Sequence, residues 1–225
     1  MEMMRLLCFL SFLTLAASGL RADQYWIAYE GNDFPENQGW TRMTGPLGGA
    51  QRWIENGSLV IDSRASVQII DANRMELNGN LDPDPGELFV AQWGLRIDEV
   101  IGRVDPAVGI FSDDKWAAAF QFDETTIFST FETGVSAPFA RSVFHEFELR
   151  SWDMRSYELY IDGNLAISGF FWLSLIPSRV FWGDSIQGGA SLARWDYFRF
   201  GVVPEPATFL TVALFVPWLV HGQRR

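Results

Sequence analysis

The sequence predicts an all-β chain folded as a two-sheet antiparallel β-sandwich, and three observations predict it. Short segments of alternating apolar and polar residues recur, separated by turn residues. No stretch carries an amphipathic helix of three turns. Aromatic residues are unusually frequent, with 10 Trp and 19 Phe in 225 residues. Aromatics favour strands and bury a large area each, so most of them are expected to fill the space between two sheets.

The elements follow in order. Residues 25–31 open the domain, and 58–63 follow an Asn56-Gly57 turn. Strands are expected over 67–71, 88–98, 108–112, 116–122 and 126–131, then over 145–152, 157–162, 165–169, 179–183 and 193–201. Residues 170–175 read as a single helical turn. In 146–150, Phe147 and Leu149 alternate with charged residues and point inward. In 157–161, Tyr157, Leu159 and Ile161 face the core and Tyr160 faces out. Asp162-Gly163 then makes a tight hairpin, because positive φ costs little there. A slip of one residue would put three apolar side chains in water, so this register is firm.

Both ends depart from the alternation. Residues 1–22 carry Arg5, an apolar stretch over 6–17 and then small residues, which is the make-up of a helical secretory signal peptide. Cys8, the only cysteine, lies inside it, so the remaining chain has no disulfide and is held by its core. Leu7 stands where lipoprotein processing at Cys8 would require a small residue. At the other end Pro204-Glu205-Pro206 stops the last strand. An apolar run of 14 residues follows over 207–220, interrupted by Pro217, and Arg224-Arg225 closes the chain. The run is shorter than the ~20 residues of a comfortable span. As a short hydrophobic helix it serves either as a membrane-held tail with cytoplasmic arginines or as a helix packed on the domain. Three segments result: a signal peptide at 1–22, a sandwich at 23–203 and an anchor segment at 204–225.

Setting aside Arg5, Arg21, Arg224, Arg225, Glu2 and Glu205, the 17 basic and 28 acidic residues become 13 and 26. Such an acidic domain repels nucleic acid and anionic lipid and disfavours uronate-rich polysaccharide. It suits neutral glycans or divalent cations.

The motif Pro204-Glu205-Pro206, with its apolar run and basic end, resembles the C-terminal sorting signal of bacterial PEP-CTERM proteins. That resemblance implies an exosortase-type processing enzyme as partner and transient anchoring in the inner membrane. Delivery to the cell surface or extracellular matrix would follow. Within the domain, Phe144-His145 and the run Tyr157-Glu158-Leu159-Tyr160-Ile161-Asp162-Gly163 resemble the laminin-G/concanavalin A-like signature. Downstream, Arg179-Val180-Phe181-Trp182-Gly183-Asp184 and Trp195-Asp196-Tyr197-Phe198-Arg199-Phe200 resemble its last strands. Upstream, Tyr29-Glu30-Gly31, Gly39-Trp40 and residues 54–62 resemble its opening strands. The resemblance covers most of 25–201 and implies a jelly roll. This fold hosts lectins, adhesion modules, glycan-binding modules and glycosidases, so it implies carbohydrate or matrix association without naming a site.

Glycosidases of this fold place paired carboxylates on one strand face, as in a Glu-x-Asp-x-Glu run. No such run is present. Glu146-Phe147-Glu148 comes nearest, but Arg150 takes the next position on that face, and a solvated outer face explains it. Asp113-Asp114 and Asp123-Glu124 read as loop and turn chemistry. The fold's lyases would use Tyr, His, Arg and Gln on adjacent strands. Outside the tail the only histidine is His145, which the resemblance places in a structural hydrogen bond. There is no Gly-x-Ser-x-Gly nucleophile elbow. The expectation is therefore a non-enzymatic protein. A hydrolase or lyase, and a structural matrix protein without ligand, stand as alternatives.

The glycan-binding candidates are Trp152, Trp93, Trp116 and Trp182, each in or beside an expected strand. Trp152 leads them, because it shares a face with Glu146, Glu148 and Arg150. For metal, Asp196 matches the last-strand aspartate that family 16 glycoside hydrolases use for structural calcium, with carbonyls near Gly31 and Gly48 completing the site by analogy. Asp196 could equally hydrogen-bond backbone at the sheet rim. The acidic loop 82–87 echoes the start of a calcium loop, but its two prolines make it rigid.

Overall fold

A computed structural model describes residues 27–77, 81–102, 104–112, 115–185 and 188–204. The expected signal helix and C-terminal hydrophobic helix, together with Glu205, Pro206, Asp113 and Asp114, lie outside the described residues. No helix among the described residues is long and apolar enough to cross a membrane.

Strand succeeds strand almost without interruption. They are β1 (Ile27–Glu30), β2 (Thr41–Thr44), β3 (Gln51–Glu55), β4 (Ser58–Asp62), β5 (Asp71–Glu76), β6 (Glu87–Gly102), β7 (Ala107–Phe111) and β8 (Trp116–Phe122). There follow β9 (Thr126–Ser129), β10 (Ser136–Pro138), β11 (His145–Ser151), β12 (Ser156–Ile161), β13 (Asn164–Phe170), β14 (Trp172–Leu173), β15 (Arg179–Asp184) and β16 (Gly189–Pro204). One 3-10 turn, Pro35–Gln38, has proline at its start and Gly39 in the left-handed conformation at its end.

The strands form two antiparallel sheets of eight, as expected. The first runs β13-β12-β11-β6-β16-β4-β3, with β1 also on β16. The second runs β10-β9-β8-β7-β15-β5-β2, with β14 also on β8. The two 16-residue strands β6 and β16 pair along their length and form the spine of the first sheet. A bulge in β16 sets both Asp196 and Tyr197 opposite Gly94. At Gly94 a Cβ would stand 3.0 Å from the Asp196 Cβ and from the Tyr197 ring, which accounts for the glycine.

Both two-residue hairpins behave as their sequences require. Asn56 and Gly57 have φ of 53° and 81°, and Asp162 and Gly163 have 51° and 77°. Positive φ at both central residues is the turn whose twist suits a hairpin. The β11–β12 register pairs Phe147 with Ile161 and Leu149 with Leu159, so the predicted inward set is buried together.

The aromatic residues fill the interior. Trp182 packs against Tyr29, Trp40, Trp195 and Phe198, with ring centroids 4.8–5.8 Å apart. Trp93 lies flat between Phe147 at 5.6 Å and Phe198 at 5.8 Å. Fully burying each such side chain contributes roughly 1.5–3 kcal/mol, and stacked pairs add about 0.5–1.5 kcal/mol beyond area.

Several boundaries differ from expectation. Residues 67–70 are turn and coil, and β5 begins at Asp71. Asp71 is buried at that start and binds Arg42, a charge pairing that alternation does not reveal. The expected helical turn at 170–175 is extended instead: Phe170 ends β13, and Trp172–Leu173 pairs with β8. The apolar run is continuous rather than alternating, and pairing with β8 holds it extended, with Phe171 buried and Phe170, Trp172 and Leu173 exposed. The strands β2, β3, β10 and β14 went unpredicted, being short or poor in apolar alternation.

Candidate functional site

The outer face of the first sheet gathers most of the polar chemistry. β11 lies between β6 and β12, and its outward residues are Glu146, Glu148 and Arg150. Cross-strand pairing sets Tyr160, Glu148, Gln92 and Arg199 in one row over four strands. Arg199 Nε donates to Gln92 Oε1 at 2.8 Å, and Gln92 Nε2 donates to the Glu148 carboxylate. Glu148 also pairs with Arg150, whose guanidinium sits 4.4 Å above the Tyr160 ring. The Tyr160 hydroxyl donates to Glu158 at 2.6 Å, and this bond raises its pKa above the ordinary phenol value.

A second row crosses Glu146, Gly94 and Tyr197. With no side chain at Gly94, the Tyr197 ring lies over the glycine toward Glu146. Burial first, and then the Glu146 charge, push the Tyr197 hydroxyl well above the usual phenol range, so it keeps its proton. Arg199 stands 4.8 Å from the Tyr197 ring centroid. The face thus presents planar donors and acceptors that brace one another.

Trp152 lies where this face meets the β12–β13 edge. It borders a cavity of about 250 Å³ lined also by Arg150, Tyr157, Glu158, Ser168 and Phe170. Trp152 is 48% exposed and Phe170 67% exposed, so two aromatic faces flank the opening. Their supports are fixed. Ser151 Oγ donates to Ser156 O and accepts from the Met154 amide, which ties the turn after Trp152. Glu132 Oε1 accepts from the Phe170 amide and the Tyr157 hydroxyl, both at 2.9 Å.

The other tryptophan candidates lie elsewhere. Trp93 and Trp182 are core residues with no exposed surface, so neither can meet a glycan. Both sit at positions of their strands that point between the sheets, which sequence alone did not distinguish from the outer set. Trp116 is partly buried on the second sheet, with the Arg155 guanidinium 4.7 Å from its ring. It does not join the Trp152 group. Phe170, Gln92, Tyr197 and Arg199 were missed. Only register between strands distant in sequence brings them together, although the outward parity of Tyr197 and Arg199 in 195–200 was a usable signal.

Asp196 is exposed at the β16 bulge. Its Oδ1 accepts from Ser58 Oγ at 3.5 Å, and its backbone carbonyl accepts from the Gly31 amide at 2.7 Å. Gly31 is pressed against the Gly57 carbonyl, whereas Gly48 closes a separate turn with Gly45. Calcium takes six to eight oxygens. No group of three acidic, histidine or cysteine side chains gathers among the described residues.

The remaining acidic motifs are structural. Asp123 accepts the Thr125 and Thr126 amides, and Glu124 pairs with Arg141 at 2.7 Å. The Glu87 carboxylate caps the Asp84 amide within the acidic loop. His145 bridges Asp162 Oδ2 at 2.6 Å and the Ala140 carbonyl at 2.9 Å, the structural role expected of it. A wider hollow of about 380 Å³ contains Asp62, Arg64 and Glu99. Arg64 satisfies both carboxylates there, at 2.8 and 2.7 Å.

No family model and no curated protein matches the chain by sequence. Solved structures do match in shape, and with the two sheets they define the chain as a jelly-roll β-sandwich. A carbohydrate esterase of Shiga toxin-encoding bacteriophage phi24B aligns at TM-score 0.60 and 11% identity, over 80% of this chain and 99% of that one. An endo-1,3-beta-glucanase from Streptomyces sioyaensis aligns at TM-score 0.55 and 13% identity, over 80% and 96%. The Crh5 transglycosylase in complex with NAG aligns at TM-score 0.50 and 13% identity, over 81% and 85%. At these identities the likeness establishes fold. The expectation of a non-enzymatic protein is overturned, because a carbohydrate esterase and a glucanase are among the solved structures that share this fold.

Proposed function

We propose that this chain is an exported, exosortase-sorted surface protein whose first sheet holds a neutral polysaccharide on its outer face. The observation that carries the reading is the cavity flanked by Trp152 and Phe170, opening beside the Tyr160–Glu148–Gln92–Arg199 row. Sugar rings stack on the aromatic faces while hydroxyl groups bond to the polar row. The acidic balance of the chain, at net charge −11, directs it to neutral glycans. Its carbohydrate-active neighbours in shape are consistent with this assignment. Export rests on residues 1–22, and sorting rests on Pro204, Glu205, Pro206 and the apolar run. A glycan array probed with the purified protein, with and without calcium, tests it. Binding to neutral glycans that calcium does not alter is expected, and no binding to any neutral glycan sinks it.

A second reading has its own support. Glu146 and Glu148 lie two residues apart on one strand face, about 7 Å between Cα atoms at strand rise. Glycosidase carboxyl pairs stand about 5–10 Å apart. With Tyr197 beside Glu146, this makes polysaccharide cleavage the alternative activity of the same face. Release of reducing ends from neutral β-glucans, lost in Glu148→Gln and in Glu146→Gln, would establish it.

A further inference from the structure

The end of the sandwich from which the chain continues past Pro204 carries an apolar ledge. Pro204 pairs with Glu87, and two residues further in, Phe89 pairs with both Val202 and Ser151. Ser156 pairs with Phe170 at that same end of the sheet. From Phe170 the chain crosses toward the second sheet, where Leu173 pairs with Trp116. Along this crossing Trp172, Leu173, Leu175 and Ile176 stand exposed, Leu173 by 69% and Leu175 by 85%. Ser174 is pinned by its amide to the Lys115 carbonyl at 2.6 Å, so the ledge is a built feature of the fold. Four consecutive strand spacings separate Pro204 from the β13 edge, about 19 Å in all.

We infer that this ledge rests on the surface of a phospholipid bilayer. The inference depends on reading 207–220 as a membrane-held tail. Two features of the chain commit the ledge to lipid. Three chain steps lead from Pro204 to Ala207, a reach of no more than about 11 Å, so a tail in the bilayer holds this end of the domain against the headgroups. The apolar run is also short. Its 14 residues span about 21 Å as a helix, against a hydrocarbon core of about 30 Å. Such a deficit is met by thinning the bilayer, by snorkelling of flanking residues or by oligomerising, and thinning brings the interface to the flanking domain. Trp172 with leucines and an isoleucine is the composition that settles there. The Tyr160–Glu148–Gln92–Arg199 row remains in water, because it lies on the flat of the first sheet, whereas Trp152 and Phe170 stand at the ledge end itself. The acidic character of the chain selects zwitterionic over anionic lipid.

The test uses the full chain, with Cys8→Ser, reconstituted in phosphatidylcholine vesicles. Single-cysteine variants Leu173→Cys, Leu175→Cys, Asn164→Cys and Thr211→Cys carry an environment-sensitive fluorophore, and thermal melting confirms that each is folded. Labels at 173, 175 and 211 are expected to shift to the blue and to be quenched severalfold by spin-labelled lipid. The label at 164, at the opposite end of β13, is expected to behave as in water. If 211 is quenched while 173 and 175 stay water-like, the ledge does not dock, and the tail reading survives. If 211 is also water-like, the tail reading fails and the inference fails with it. A blue shift at 173 that follows protein concentration without vesicles assigns the ledge to a second copy of the chain and overturns the inference.

Discussion

Trp93 and Trp152 look alike in sequence, yet opposite consequences are expected of them. Trp93 has no exposed surface and lies stacked between Phe147 and Phe198. Trp93→Ala removes the side chain and both stacks, a loss of about 3–5 kcal/mol. A domain of this length shifts by about 2–4 °C per kcal/mol, so melting should fall by roughly 6–20 °C. Trp93→Phe keeps part of the volume and should remain folded at lower cost. Trp152 is half exposed beside the cavity. Trp152→Ala should leave stability within about 0.5 kcal/mol and weaken neutral-glycan binding tenfold or more, which is about 1.4 kcal/mol of stacking. Differential scanning fluorimetry and affinity electrophoresis in a glycan-loaded gel read the two effects. The reasoning is refuted if Trp152→Ala melts as low as Trp93→Ala. It is equally refuted if folded Trp93→Phe loses glycan affinity while Trp152→Ala keeps it.

Two further outcomes are expected. Asp105 is buried, and burial first, then the Asp184 charge, hold its carboxyl well above the usual range despite the Ser191 hydroxyl donating to it at 2.9 Å. A raised folded pKa stabilises below the unfolded value near 3.9 and is lost as pH rises toward the folded value. Denaturant titrations should therefore show Asp105→Asn gaining on the parent as pH rises above ~pH 4, by at most about 1.4 kcal/mol per pH unit and only until the folded carboxyl ionises. Parallel pH curves would contradict the assignment, because the opposite contributions of Asp62, Glu36 and Asp153, whose pKa values are lowered, cancel in the difference. At Gly31 an added Cβ would press on the Gly57 and Asp196 carbonyl oxygens and stand 3.0 Å from the Ser58 Cα, all backbone atoms that cannot turn aside. Gly31→Ala should cost about 1–3 kcal/mol in urea unfolding, and a loss below about 0.5 kcal/mol would show that the contact is not tight.

The fold was legible because local signals agreed. Alternation in 145–151 and 156–161, with a turn that requires positive φ at Asp162 and Gly163, leaves one hairpin register, and the structure adopts it. His145 was likewise placed correctly, since its partner Asp162 ends the same hairpin. The site was less legible. Outward parity along one strand predicted that Trp152 is exposed, because its face was set by Glu146, Glu148 and Arg150. Parity along a strand does not say which sheet face meets the other sheet when both faces carry aromatics, so Trp93 and Trp182 were misread.

The sequence by itself determined an all-β sandwich, a disulfide-free core, the positions of its tight turns and the parity of each clear strand, since these depend on neighbours within a few residues. Only the tertiary structure decided which rows cross the sheet. The Tyr160–Glu148–Gln92–Arg199 row joins residues up to 107 positions apart, and the Trp152–Phe170 opening needs the β12–β13 edge beside the end of β11. The same holds for the ledge at 172–176, which β14 pairing turns outward where an apolar run would otherwise read as interior. Long-range register selects among faces that local chemistry leaves equivalent, and this selection places the candidate site.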